Sequence, residues 1–336
     1  MHLKTLLFTG IYFFIFSFIG FSANADSLKR INKLNKKFLK NSAYVLIPSG
    51  SVSTYQFIFD TDDSRVTATK EVPRIKQEEI NSFMMQKGEV TNSDYLKLLS
   101  YYKTKNPEKF KTLLPDTLVW RTPRTFNEPY VEYYMRHPAY QEYPIVGVSH
   151  HQAEQYCKWL TEIYHQNPDR IYKKVIYRLP TEAEWIYAAN GGLRNTNYPW
   201  VGPYMRNTAG KMKANCLSFG TGRVYRDTLY KKDWNGDFKE VYIYRAQPHR
   251  GIDDENDLND YADVTAPTIS YWPNNYGLYN MAGNVCEMVA EKEITHGGSW
   301  NDPGHYLQNH IRQFYEGEHS ASNKRGFRVI MQILEY

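Results

Sequence analysis

His296, His305, His310 and His319 crowd the end of the chain, and His305 with His310 has the H-x4-H spacing that zinc sites use. Neither sits in a helical pattern or beside a zincin-type carboxylate, so the spacing reads as hydrogen-bonded loop histidines. Ser149 next to His150, and Ser299 near His296, lack the strand-turn-helix context of a nucleophile elbow. Asp233-Trp-Asn-Gly-Asp237 imitates the start of a calcium loop, but Phe238 stands where the turn needs glycine and Tyr244 where it needs a bidentate glutamate. The acidic run from Asp253 to Asp260 reads as a solvated loop, with Asp260 the exception taken up below. Three cysteines, Cys157, Cys216 and Cys286, are too widely spaced for a metal or redox motif, and their odd number leaves at least one thiol unpaired. Cys157 falls on an apolar helix face and reads as packing. Whether Cys216 and Cys286 bridge stays open.

The elements that must position these groups are clearest near two capping boxes. Ser149 with Gln152 opens a helix whose apolar stripe is Ala153, Tyr156, Cys157, Leu160, Ile163 and Tyr164. Thr181 with Glu184 opens a second, ended by Gly191-Gly192. Thr91 caps a helix to about Lys103. Strands are expected at Ala43–Ile47, Tyr55–Phe59, Val175–Leu179, Val241–Tyr244 and Phe327–Ile333, and a long ordered loop system from Asn106 to Pro144. No fixed-period repeat is present.

Lys4, the apolar run Leu6–Phe21 and Ala23-Asn24-Ala25 read as a secretory signal over residues 1–25. A spanning anchor is the competing reading of a run that long. No lipid-attachment cysteine lies near the cleavage point. Residues 26–42 form a basic arm with Lys29, Arg30, Lys33, Lys36, Lys37 and Lys40. These six outweigh the formal net charge of +5, so the remainder is close to neutral. Leu28, Ile31, Leu34 and Phe38 recur there at helical spacing, so the arm reads either as an amphipathic helix on an anionic membrane or partner, or as a solvated terminus. Export argues against a nucleic-acid role. With 42% hydrophobic residues and 29 tyrosines, residues 43–336 can fill one large folded domain.

Four strings occur in order: Arg178-Leu-Pro-Thr-Glu-Ala-Glu-Trp185, Asn275-Tyr-Gly-Leu-Tyr-Asn-Met-Ala-Gly-Asn-Val-Cys-Glu287, Gly297-Gly-Ser-Trp300 and Gly326-Phe-Arg328. Together they resemble the formylglycine-generating-enzyme (sulfatase-modifying factor) domain. The resemblance implies an α+β class, a single irregular domain of C-type-lectin-like kind with little regular secondary structure. Asn127-Glu-Pro-Tyr, Tyr134–Tyr140, Tyr143–Val148 and Gly298–Asp302 look closest to the gliding-motility and type IX secretion lipoprotein K subgroup, whose members are outer-membrane-associated and assemble into rings with a partner subunit. The chain departs from that subgroup by lacking the lipidation cysteine and by an insertion within about 221–257.

Catalytic members of the family hold copper(I) on two cysteines. The resemblance puts those places on Asp302 and Leu307, which offer copper(I) no soft thiolate. It also implies two calcium sites. One has Asn215 and Asp260 as side-chain ligands, with the carbonyls of Cys216 and Ala262. The other has Asn280 and Glu287, with the carbonyls of Gly283 and Val285. The expectation is therefore a non-catalytic scaffold of the envelope, periplasmic or outer-membrane-associated. It would hold structural calcium and no copper, and engage a protein partner such as a ring subunit. An oxidoreductase with a rebuilt centre, for instance iron held by His305 or His310, is the alternative, and fold analogy alone adds a lectin-like binder.

Overall fold

The computed structural model describes residues 25–40, 42–58, 72–121, 127–194, 196–217, 224–232, 238–246, 262, 264–317 and 319–336. The apolar run Leu6–Phe21, the Asp233–Asp237 turn and the acidic stretch ending at Asp260 lie outside them. Among the described residues no helix is long and apolar enough to cross a membrane.

An antiparallel sheet organises the core. Its order is β1 (Tyr44–Ile47), β4 (Phe83–Gln86), β12 (Ile330–Glu335) and β5 (Lys174–Arg178). The alternation of side chains along a strand splits the apolar residues between its faces. Met84, Val175, Tyr177 and Met331 enter one core with α2 (Asn92–Lys105) and α5 (His150–Gln166). Ile47, Met85 and Ile330 enter the other, with α6 (Glu182–Asn190) and the hairpin of β2 (Gly50–Ile58) with β3 (Val72–Ile80). Because β4 is buried on both faces, it shows no polar alternation, and it and β3 are missed by the sequence pattern.

Both capping boxes form as the spacing predicts, and Gly191 ends α6 at φ 56°. The segment from Asn106 to Pro144 is more ordered than expected. Asn106 caps α3 (Pro107–Leu113), and α4 (Glu128–Tyr133) follows a 3-10 turn at Thr117–Trp120. Pro107 and Pro129 sit at the helix starts, where a missing N–H costs nothing. Helices of two turns or less are too short to display a period.

A smaller sheet joins β10 (Gln313–Phe314), β9 (Ile294–His296), β8 (Cys286–Met288) and β11 (Arg325–Gly326). Three of the four family-like strings border its strands, and the fourth, Arg178–Trp185, runs from β5 into α6. The insertion contains a separate hairpin, β6 (Val224–Lys232) with β7 (Phe238–Ala246). The basic arm is helix α1 (Ala25–Leu39), and Leu34, Phe38 and Leu39 pack against the first core.

Candidate functional site

Gly297 and Gly298 succeed β9 with φ of 88° and 65°, in the left-handed region. A Cβ on Gly298 would stand 2.7 Å from Leu307 Cδ1 and 3.0 Å from Tyr306 O, so only glycine fits this turn. Ser299 caps the next turn, its N and Oγ both donating to Asp302 Oδ2, at 2.9 and 2.5 Å. Trp300 donates from Nε1 to Asn323 O at 3.1 Å and stacks on Trp120 with centroids 6.4 Å apart. A short 3-10 helix, Gly304–Leu307, then buries Leu307 completely among Tyr198, Met212, Ala214, Cys216 and Ala282.

All three thiols are free and buried. Burial pushes Cys216 and Cys286 up to about 12 and raises Cys157 further still. A thiol held protonated is a poor nucleophile and a poor metal ligand. Cys216 touches the Leu307 cluster, while Cys157 lies in the first core.

Of the residues expected to hold calcium, Asn215 and Asn280 join one buried polar layer through Asn284 and Glu89. Its hub is Glu89, which lies just beyond β4 and is fully buried. Asn284 donates to Glu89 Oε1 at 2.9 Å, and Asn280 donates to Glu89 Oε2 and to Thr268 O, both at 3.2 Å. Asn284 also accepts from Ala266 N at 2.7 Å and from Asn215 Nδ2 at 3.3 Å, which ties the two expected sites together. Gly283 presses on Asn215, where a Cβ would meet the carbonyl oxygen at 2.2 Å. Asn280 and Asn284 take φ of 51° and 70°, which asparagine tolerates better than most residues.

Beside this layer Arg328 spends all five N–H groups. Nε and Nη2 donate to Glu287 at 2.6 and 2.5 Å, and the rest reach Gln86 O, Lys87 O and Tyr279 O. Trp185 Nε1 adds a 2.8 Å bond to Glu287 Oε2. Burial, with Glu287 nearby, raises Glu89 to about 8 although Arg328 opposes it. Near neutrality Glu89 therefore holds its proton and leaves Glu287 with Arg328 as a compensated pair.

The histidines do not assemble a centre. His296 is buried against Trp185 and bonds to Glu182 at 3.0 Å, and Arg312 donates to the same carboxylate. Although burial pushes Glu182 up, His296 and Arg312 pull it down to about 2. His305 meets Gln308, and His319 faces His151. Among the described residues no three of His, Cys, Asp and Glu form a metal-binding group.

The model of the sulfatase-modifying factor enzyme 1-like domain matches residues 30–333. The chain belongs to this family. It is 25% identical to the formylglycine-generating enzyme of Mus musculus over 279 residues, covering 75% of this chain and 59% of that protein. With the Streptomyces coelicolor enzyme it shares 30% over 166 residues, 49% of this chain and 35% of the relative. With the inactive C-alpha-formylglycine-generating enzyme 2 of Bos taurus it shares 27% over 199 residues, 56% and 50% of the two chains. The chain thus spans less than two thirds of each of these relatives. The structure of PvdO from Pseudomonas aeruginosa superposes with a TM-score of 0.50 at 20% identity, over 86% of this chain and 94% of that one, and shares the fold.

The two residues that the resemblance puts at copper-ligand places are not ones that suit copper(I). Asp302 is a carboxylate already bonded to Ser299, and Leu307 is a buried hydrocarbon. The second calcium loop offers amide, carbonyl and carboxylate oxygens, the kinds of donor calcium takes, but Glu89 holds its proton near neutrality and Glu287 already accepts from Arg328 and Trp185. Glu287 would share its carboxylate with Arg328. Asp260, needed for the first site, lies outside the described residues.

Proposed function

We propose that the chain is an exported, non-catalytic member of its family that serves as a scaffold or adaptor in the cell envelope, associated with gliding motility or type IX secretion. The observation carrying this reading is the filling of the redox place. Leu307 is packed where a thiolate would be needed, and Asp302 is capped by Ser299. The relatives include proteins described as inactive, so a family scaffold without turnover has precedent. The strings Asn127–Tyr130, Tyr134–Tyr140 and Tyr143–Val148 support the lipoprotein K affinity, and they contribute the partly buried rings of Tyr130, Tyr140 and Tyr143 beside buried Trp120 and Tyr134. Such rings suit a protein interface.

Two experiments test the reading. The purified chain, given a cysteine-containing sulfatase-type peptide, copper(I), oxygen and reductant, is expected to leave the cysteine unmodified by mass spectrometry. Formylglycine in the product would refute a non-catalytic role. Cross-linking in intact envelopes is expected to recover a ring subunit of the secretion apparatus. Recovery of no envelope protein, with binding on a glycan array instead, would favour a lectin.

Calcium belongs to the same proposal as a structural ion at the Asn280–Glu287 loop. A ligand that binds only the folded state at a hundred times its Kd stabilises by about 2.7 kcal/mol, so calcium is expected to raise Tm over an EGTA control. An unchanged Tm would remove calcium from the reading.

A further inference from the structure

The amphipathic pattern of the basic arm is that of a helix lying on a membrane through its apolar side. Helix α1 exists, but the C-terminal half of that side, with Leu34 and Phe38, is already covered. Asn35, 6% exposed, accepts a 2.9 Å bond from Tyr172 Oη, and Phe38 packs on Tyr172 and Tyr44 at 5.4 and 5.9 Å. Leu34 and Leu39 join the same core. The helix is therefore bolted to the domain and cannot roll its hydrophobes into a bilayer without breaking these contacts.

A ridge of cations remains outward. Arg30, Lys33, Lys36, Lys37 and Lys40 are all exposed. At about 100° per residue they fall within an arc of about 120°, opposite Leu34, Asn35 and Phe38, and they extend about 15 Å along the axis. None of the five makes an ion pair or side-chain hydrogen bond among the described residues, and no acidic residue interrupts the sequence from Arg30 to Lys40. Unpaired like charges in a row repel one another, so the ridge costs stability unless an anionic surface neutralises it.

We propose that α1 is a fixed electrostatic ridge that seats the domain on an anionic phospholipid surface, by charge and without insertion. Two features favour lipid over an acidic protein. The arc that the five cations occupy carries no aromatic side chain that would give a protein partner directional contacts, and the exposed amide of Asn32 lies at its edge. And the apolar run Leu6–Phe21 ends just before α1, so passage of that run through a bilayer delivers the ridge to its surface. Each cation close to such a surface contributes about fivefold in partitioning, and the effect decays within a Debye length.

The test is sedimentation of the full chain, as exporting cells yield it, with vesicles of phosphatidylglycerol and phosphatidylcholine or of phosphatidylcholine alone. Binding is expected only to the anionic vesicles and is expected to vanish on raising salt from about 0.1 to about 0.5 M. Lys33→Gln/Lys36→Gln/Lys37→Gln should weaken it about a hundredfold. Lys103→Gln/Lys158→Gln/Lys211→Gln, which removes three exposed cations elsewhere, should change it less than about threefold. Near-UV circular dichroism checks that both variants are folded. Equal binding to neutral vesicles would assign attachment to insertion and overturn the proposal. So would equal losses in the two triple variants, or an absence of vesicle binding together with tight binding of polyglutamate.

Discussion

Replacing Arg328 by methionine would remove the cation at the centre of the molecule. The guanidinium is wholly buried and bridges Glu287 in β8, the carbonyls of Gln86 and Lys87 at the end of β4, and Tyr279 O in the family-like loop. Methionine fills much of the volume but donates nothing. Breaking a buried ion pair on one side costs about 3–5 kcal/mol, because the remaining charge is stranded. A domain of this kind has about 5–15 kcal/mol in total. The loss would therefore take about a fifth or more of the stability, seen as a drop in the urea midpoint with unchanged m.

The pH dependence separates this account from simple loss of packing. In the native chain Glu89 is raised from 4.5 to about 8. The folded state thus holds a proton the unfolded state releases, and stability falls as pH rises from about 4.5 to about 8, then levels. Without Arg328 both Glu89 and Glu287 lose their opposing charge, and the folded protein must take up further protons or bury naked carboxylates. The deficit of Arg328→Met should be larger at pH 8 than at pH 5. Adding Glu287→Met should recover part of it, since an apolar pair can replace a buried ion pair. A deficit below about 1 kcal/mol, or one equal at both pH values, would refute the reasoning.

Gly298→Ala should destabilise by more than about 1 kcal/mol, since it combines a positive φ with a 2.7 Å approach to Leu307, measurable as a lowered Tm; no change would mean the turn can relax. Glu182 is held down at about 2, so its contribution is complete above pH 4.5 and is lost as pH falls towards 2. Glu182→Gln should flatten the acid limb of the pH–stability curve in that window. Ser149→Ala removes one half of the α5 capping box and should cost about 1 kcal/mol by urea denaturation, with little effect on the spectrum of the folded state.

The amino-acid sequence by itself determined the local features. The capping boxes at Ser149 and Thr181, the stop at Gly191 and the ordered family strings all depend on groups a few residues apart, so their pattern is visible locally even though packing is what holds such short helices. That Asp302 and Leu307 offer no soft ligand is equally legible from the side chains, while their standing at copper-ligand places is what the resemblance implies. Tertiary structure alone decided that β4 occupies the middle of a sheet buried on both faces, that Glu89 sits against Asn284 across 195 residues, and that Leu34 and Phe38 of the arm are covered while Lys33, Lys36 and Lys37 face outward. No local pattern encodes these, because which charge compensates which, and which face of a helix is already taken, is fixed only when distant segments close on one another and water is excluded between them.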